Sequence, residues 1–598
     1  MTTADGAQRL APQPDISIAQ GSPEGTVIQL YTDETYQAFR GAGAAITESS
    51  AALLTAMPSS SRAEVMAKLF GSGPGAIGIN YLRVPAGASD FALSSYSYDD
   101  IPFGSTDPLL TAFSISRDTD DVLPRLLQAR SINPAVKVMG TPWSAPAWMK
   151  STGSLNGGSL LPEWRQAYAD YLVAYQRAYA DQGVDLDALT VVNEPLHGTS
   201  AYPSMRMTAS EQAGFIRDFL DPAMKAAQLD TKLLVYDHNW DNTEYPRQVL
   251  ADSAVESATV GTAFHCYSGD VAAQSEMHAA FPSSSVWMTE CSGGGWETSL
   301  AKNLAWNMRN LVVGNFRNWG ETLLLWNLAL DPDSGPTNGG CSNCRGVITV
   351  DPVSGSAAYN VEFYVLGHLT KFVQPGAVRV ASTVYGPGGP ENVAFRNPDG
   401  SIVLIVFSQA ATTFSVAWGS ERVRYSLPAG AAATIVLPPS GTTTPVPVRV
   451  SGPLQGFERD GGAFAVFQAE LGSSSQARTG TGSLSATGVN GNWHTVGVYP
   501  VLGPADLADA QRICLWVNDQ TGTTGNTVAL KLVDDGGRRH EIWSDNASAG
   551  SNPSTAAQQW VKFCWPVSAF AVDRQRVDHL EITWFWPGTI LIDDITLE

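Results

Sequence analysis

Cations are scarce in this chain: 36 Lys and Arg stand against 57 Asp and Glu in 598 residues, a formal net charge of −21. No basic face is available to neutralise phosphates, which argues against nucleic acid and anionic membranes as partners. A neutral polymer meets no such objection. Long apolar runs are missing too, and none reaches the roughly 20 residues needed to span a bilayer. Residues 1–15, MTTADGAQRLAPQPD, have neither a basic n-region nor an apolar h-region. The expectation is a secreted protein whose signal peptide has been replaced by an initiator Met.

Cysteine is also sparse, and six in the whole chain do not make a disulfide scaffold. Cys341 and Cys344, in GGCSNC, lack the further ligands that zinc requires and are expected to form a local disulfide. Cys514 and Cys564 lie in apolar strand-like segments and are expected to pair across a sandwich. Cys266 and Cys291 read as free buried thiols. Two disulfides favour an oxidising compartment. No Gly-rich phosphate turn follows an early strand, so a dinucleotide-binding open sheet is disfavoured and no cofactor is expected.

What is present is an ordinary soluble composition, 44% hydrophobic and 16% charged, in a chain long enough for two to four domains. Residues 1–38 read as a loose leader to about residue 20, followed by two strands at 26–31 and 36–39. Residues 39–375 alternate strand and helix eight times, with strands near 41–47, 77–84, 136–139, 189–192, 232–236, 260–264, 286–289 and 322–326. That is the pattern of an α/β fold, a (β/α)8 TIM barrel. Residues 376–438 switch to short alternating strands and form a side β-sandwich, which the N-terminal strands would complete. A Pro/Thr-rich linker, 439–453, leads to a separate all-β, jelly-roll-like domain at 454–598.

Two of the barrel strands end alike. TVVNEP delivers Glu194 and SVWMTEC delivers Glu290 to a C-terminal strand tip, where barrels place their chemistry. The other tips carry Arg83 with Asp90 beyond it, Trp143, Asn193, Tyr236 with Asp237 and His238, His265 with Tyr267, and Trp326 with Asn327. Two carboxylates across a pocket are what glycoside hydrolysis requires. In the retaining form one is a nucleophile that must stay ionised, for which Arg83 is the expected cation and Tyr267 the hydroxyl donor. The other must start protonated, then act as base. Asn193 would bind the sugar 2-OH, Asp90 the ring hydroxyls, and Trp143 and Trp326 the faces of the ring. His238 and His265 read as hydrogen-bonded supports. Asp237, His238 and Asp241 have no recognised ligand spacing, so no metal is expected.

The segments at 39–48 (FRGAGAAITE), 83–85 (RVP), 88–91 (ASDF), 142–150 (PWSAPAWMK), 193–195 (NEP), 289–291 (TEC) and 326–331 (WNLALD) resemble glycoside hydrolase family 30, over about residues 25–438. The resemblance implies a retaining barrel with a side β-sandwich, Glu194 as acid/base and Glu290 as nucleophile. It also implies substrate binding by Arg83, Asp90, Trp143, Asn193, His265, Tyr267 and Trp326, to which Tyr236 and His238 are added from the strand tips. Residues 335–350 (GPTNGGCSNCRGVITV) and 236–240 (YDHNW) are more like the β-1,6-glucanase branch than the glucosylceramidase branch. The expected activity is therefore an endo-β-1,6-glucanase acting as a monomer on a polysaccharide. An exo-acting β-glucosidase or β-xylosidase, a glucosylceramidase, and a non-catalytic carbohydrate-binding protein are the alternatives. GFERDGGAFAVFQAELG and the final ILIDDITLE look like a carbohydrate-binding module, with Trp493, Trp543 and Trp586 as stacking candidates.

Overall fold

A computed structural model describes residues 1–20, 26–386 and 388–439 continuously, and residues 453–598 in part. Its centre is a closed barrel of eight parallel strands: β1 (Gly41–Ala45), β2 (Tyr81–Ala86), β3 (Lys137–Pro142), β4 (Ala188–Thr190), β5 (Lys232–Asn239), β6 (Gly261–His265), β7 (Ser285–Glu290) and β8 (Gly320–Leu325). Consecutive strands pair, and β8 closes onto β1 through Thr322–Gly41 and Leu325–Ala44. The strands read as apolar runs because helices cover the outside and side chains fill the inside. β1 is built of Gly and Ala because there is no room for more. A Cβ on Gly43 would fall 2.1 Å from the Tyr81 carbonyl oxygen.

One inward layer, formed by Tyr81, Met139, Ala188, Leu234, Ala263, Trp287 and Leu324, plugs the barrel floor. Strand side chains alternate with period two. Two residues further along, the same inward face therefore carries Arg83, Thr141, Thr190, His265, Thr289 and Trp326. An apolar floor supports a polar layer, and the site stands on both. Outside, the helix Arg165–Asp181 buries Tyr168, Tyr171, Tyr175 and Tyr179 at helical spacing and ends before Gly183, at φ 81°.

The side sheet has eight strands and a single core drawn from seven of them, including Ile28, Val380, Leu404, Trp418 and Ile435. The two strands expected at 26–31 and 36–39 are one strand, Thr26–Ala38. It lies between Val378–Ser382, antiparallel, and Thr412–Trp418, parallel. Residues 1–20 are not a loose leader. Thr2 bridges Ala432 and is buried, its hydroxyl lies 2.8 Å from His368 Nε2, and Ala19–Gln20 adds an edge strand. The run DTDDVLPRLLQAR at 118–130 reads as a helix that Asp118 opens, which the structure corrects. That helix begins at Val122, and the buried Asp118 carboxylate instead accepts hydrogen bonds from Tyr96, Tyr98 and Tyr179. Burial pushes it up to about 6 against the pull of those hydroxyls.

The C-terminal region is all-β, with a six-stranded and a five-stranded sheet around one core. Cys514 and Cys564 form a disulfide, but they face each other on neighbouring strands of one sheet rather than across the sandwich. Most of the expected linker, and Trp493, lie outside the described residues. No described helix is long and apolar enough to cross a membrane.

Candidate active site

The polar layer is organised by one guanidinium. Arg83, fully buried on β2, donates to Glu290 Oε2, to Asn193 Oδ1 at 2.7 Å, to Asp237 Oδ2 at 3.0 Å and to Thr141 Oγ1 at 3.3 Å. The Trp143 and Trp326 rings stack at 4.9 Å and lie 4.9 and 5.5 Å from its central carbon. Planar, forked and always charged, arginine is suited to hold several acceptors in one plane.

Asp237 is the second hub. It is buried and accepts four hydrogen bonds, from Arg83, from Thr190 and Thr289 hydroxyls at 2.8 and 2.7 Å, and from His265 Nε2 at 2.9 Å. Burial presses the carboxyl toward neutrality, but Arg83 and His265 outweigh it and hold Asp237 well below the carboxylate range. The sequence reading gave this residue no role. A charge inside the apolar run KLLVYDHN was the available signal, since a buried charge must be paired.

A bulge explains both that omission and one misplacement. Period two on β5 leads from Leu234 to Tyr236, but the register jumps between Tyr236 and His238, and Tyr236 and Asp237 take φ values of 75° and 62°. Asp237 is thereby turned into the barrel and Tyr236 out of it. Tyr236 is 1% exposed, packs on Tyr245 and Phe264, and donates its hydroxyl to the Asn239 carbonyl. It does not join the pocket, contrary to its place among the expected substrate-binding residues. Glu194 and Asn327 also have left-handed φ values, 45° and 63°, at strand tips. Such backbone strain concentrates at functional sites.

The two glutamates meet as expected. A Glu194 oxygen, a Glu290 oxygen and a His265 nitrogen all lie within 4.8 Å of one another. Glu290 accepts from Arg83 through Oε2 and from the Tyr267 hydroxyl through Oε1 at 2.9 Å. Glu194 Oε1 lies 3.0 Å from His265 Nδ1 and 3.9 Å from His238 Nε2. Burial raises Glu194, but its hydrogen bond to His265 and the charges of His265, His238 and His197 draw it below its ordinary value. His265 is buried between Glu194 and Asp237. Burial opposes its charge, yet the carboxylates of Glu290, Asp237 and Glu194 lift it to about 9.

The geometric triad Glu194, His265 and Glu290 does not fit a metal ion. Both ring nitrogens of His265 face carboxylates, and the imidazolium they favour has no lone pair to offer.

Asp90 lies at the pocket edge. Burial and the negative charges of Glu290 and Glu194 hold it well above the carboxylate range, against a hydrogen bond from the Trp326 indole. Asn338 from the loop after β8 donates its backbone N–H to the Asp90 carbonyl. Tyr202, which no sequence pattern marked, hydrogen-bonds His197 at 3.0 Å. Burial and the nearby Asp90, Glu194 and Glu290 raise its hydroxyl well above the ordinary phenol range.

Cys266 and Cys291 are not free thiols. They form a disulfide one residue beyond His265 and Glu290, which are register partners on β6 and β7. Strand-end pairing of 265 with 290 brings 266 to 291. The bond ties together the tips that carry the imidazole and one carboxylate.

A basic group held above its ordinary value stabilises the fold while protonated. The contribution of His265 is complete below about pH 6.5 and is lost as the pH rises through about 9. The melting temperature is therefore expected to fall between pH 7 and 10. Asp237→Asn, which leaves Arg83 and His265 short of a buried counter-charge, is expected to cost about 3 kcal/mol and to flatten that alkaline decline. Thermal melts and denaturant titrations of each protein across this range check both.

Comparison with known proteins identifies the family. Residues 39–373 match the glycosyl hydrolase family 30 TIM-barrel domain, and residues 376–435 match the family 30 beta sandwich domain. An endo-1,6-beta-D-glucanase of Neurospora crassa is 32% identical over 428 residues, 68% of this chain and 87% of that protein. The lysosomal acid glucosylceramidase of Mus musculus is 30% identical over 415 residues, 65% of this chain and 78% of that one. A solved endo-beta1,6-glucanase superposes with a TM-score of 0.68 at 32% identity, covering 73% of this chain and 98% of its own. With barrel and sandwich both matched, this chain belongs to glycosyl hydrolase family 30.

Proposed function

We propose that this chain is an extracellular, retaining endo-β-1,6-glucanase that works as a monomer, with Glu290 as nucleophile and Glu194 as acid/base. The observation that carries the reading is the approach of the two carboxylates to within 4.8 Å, with a guanidinium on one and an imidazole on the other. Retaining glycosidases place their carboxyl groups about 5 Å apart, close enough for direct attack and too close to admit a water between them.

Arg83 and the Tyr267 hydroxyl hold the two Glu290 oxygens by hydrogen bonds and aim the carboxyl group at the anomeric carbon. As the sugar–oxygen bond breaks, the leaving oxygen needs a proton. The His265–Glu194 pair holds one, between Nδ1 and Oε1. Its transfer to Glu194 as substrate displaces water leaves His265 neutral and still donating Nε2–H to Asp237. Glu194 then protonates the departing oxygen. Once the glycosyl–Glu290 ester has formed, Glu194 is a carboxylate, takes a proton from water, and the hydroxide equivalent releases the sugar with its configuration retained. Asn193, fixed by Arg83, offers its amide N–H to the 2-OH. Trp143 and Trp326 flank the ring and Asp90 hydrogen-bonds a ring hydroxyl.

The β-1,6 assignment follows the glucanase relatives and the superposed glucanase. The disulfides support an oxidising, extracellular setting. The C-terminal sandwich is read as a carbohydrate-binding module that keeps the barrel near the polymer, with Trp543 as its stacking candidate among the described residues; Trp586 packs in the core of the sandwich instead.

A screen over linkage-defined β-glucans tests the reading. β-1,6-Glucan is expected to yield mixed oligosaccharides early, and NMR of the first product is expected to show the β-anomer. Glucose as the sole product from every substrate, or an initial α-anomer, overturns the endo or the retaining part respectively.

A further inference from the structure

Three consecutive glycines, 293–295, precede Trp296 just beyond β7, and the reaction at Glu290 gives them no task. The structure gives each of the first two a reason. Gly293 and Gly294 pair antiparallel with Arg345 and Cys344 of the loop after β8, and Gly295 N–H donates to the Asn343 carbonyl at 2.7 Å. A Cβ on Gly293 would lie 2.0 Å from Glu362 Oε1, which is held by Arg345 Nη2 at 2.6 Å. A Cβ on Gly294 would lie 2.1 to 2.5 Å from three atoms of the Trp296 six-membered ring. The indole therefore rests on bare backbone, in contact that any side chain would prevent.

That backbone is rigid. The ion pair Arg345–Glu362 anchors one side, with Glu362 buried, and the Cys341–Cys344 disulfide braces the other. Cys344 packs in one cluster with Trp143, Trp326 and Phe91, the wall of the reaction pocket. Trp326, Cys344, Gly294 and Trp296 thus form a continuous path from the pocket wall outward. At its end Trp296 is 57% exposed, the most exposed tryptophan among the described residues. A large, flat, apolar face held open to solvent beside a sugar site matches the apolar face of a pyranose ring.

We propose that Trp296, seated on the glycine hairpin, is the platform of a further glucosyl subsite, which binds a sugar unit of the polymer next to the reacting one. The proposal rests on the reading of the chain as a glucan hydrolase and adds where a second unit is held. The platform contributes uniform binding, which lowers KM without entering the chemical step. Gly294 is its positioning residue.

The test is a chain-length series of linear oligosaccharides, from two to six units, of whichever β-glucan the wild-type chain cleaves. Kinetics are measured for the wild type, Trp296→Ala, Trp296→Tyr and Gly294→Ala. Trp296→Ala is expected to raise KM about tenfold on the longer chains, with kcat within about twofold. The disaccharide, or an aryl glycoside, should be affected less. Trp296→Tyr should fall between wild type and alanine, and Gly294→Ala should mimic the loss while keeping the indole. Unchanged KM at every length overturns the proposal, as does an equal fall of kcat on all substrates, which would make Trp296 part of the reaction pocket. Failure of the wild type on β-1,6-glucan would instead overturn the linkage assignment, and leaves this series interpretable on the glucan that is cleaved.

Discussion

Glu290→Gln is expected to lower kcat by roughly 10⁴-fold or more while leaving substrate affinity within about tenfold. The amide is nearly isosteric with the carboxylate and keeps an oxygen to accept from Arg83 or Tyr267, so the pocket should hold its shape. What disappears is the anion that forms the bond to the anomeric carbon. Arg83 remains compensated by Asp237 and still holds Asn193, so the binding of the 2-OH survives. Single-turnover kinetics and calorimetric titration with oligosaccharide separate the two effects. A variant that turns over at near-normal rate, or that loses rate only through KM, removes Glu290 from the nucleophile's role.

Replacement of Glu194 should show a different signature, because its task depends on the leaving group. Glu194→Gln is expected to cut the rate on glucan by about 10²- to 10⁴-fold. A dinitrophenyl glycoside, whose phenolate departs unprotonated, should form the glycosyl–enzyme almost normally and then stall for want of a base. With Glu194→Ala, azide should restore turnover and give the β-glycosyl azide, since a small anion needs no deprotonation and enters the space the side chain left. Equal losses on both substrates, with no response to azide, would assign Glu194 to binding alone. The wild-type alkaline limb should reflect the His265–Glu194 pair, because above about 9 the imidazolium gives up its proton and the pair has none to deliver.

Much of this site could be read from strand tips. Eight apolar runs gave eight strands because parallel barrel strands are buried on both faces, and the pocket lines their C-terminal ends. Glu194, Glu290, Arg83, Asn193, His265 and Tyr267 follow from that rule alone. Tyr236 failed it because a bulge is a local departure from the period on which the rule rests, and nothing in YDHN announces which residue is extra. The same bulge brought in Asp237. The Cys266–Cys291 bond was hidden by treating each thiol alone, although the equal spacing of 265–290 and 266–291 carried it. Tyr202 and the glycine hairpin under Trp296 depend on how two loops meet, which no single segment encodes. Asp118 was read as a helix start because its neighbours fit one, whereas three tyrosines, at 96, 98 and 179, converge on it in space.

The path of the side sheet has a consequence for how the chain is made. Its strand Thr26–Ala38 emerges early, yet its register partners Val378–Ser382 come about 340 residues later and Thr412–Trp418 later still. At ribosomal speeds of about 5–20 residues per second, the strand waits on the order of 20 to 70 seconds for an edge to join. Throughout that interval Ile28, Leu30 and Tyr31, buried in the finished sheet, have no sheet to enter. The same delay applies to barrel closure, since β8 must arrive before β1 gains its second neighbour. Nascent chains of this protein are therefore natural clients for holding chaperones until the sandwich is complete. A chain cut just after the barrel would keep permanently the sticky edge that the full chain shows for about a minute.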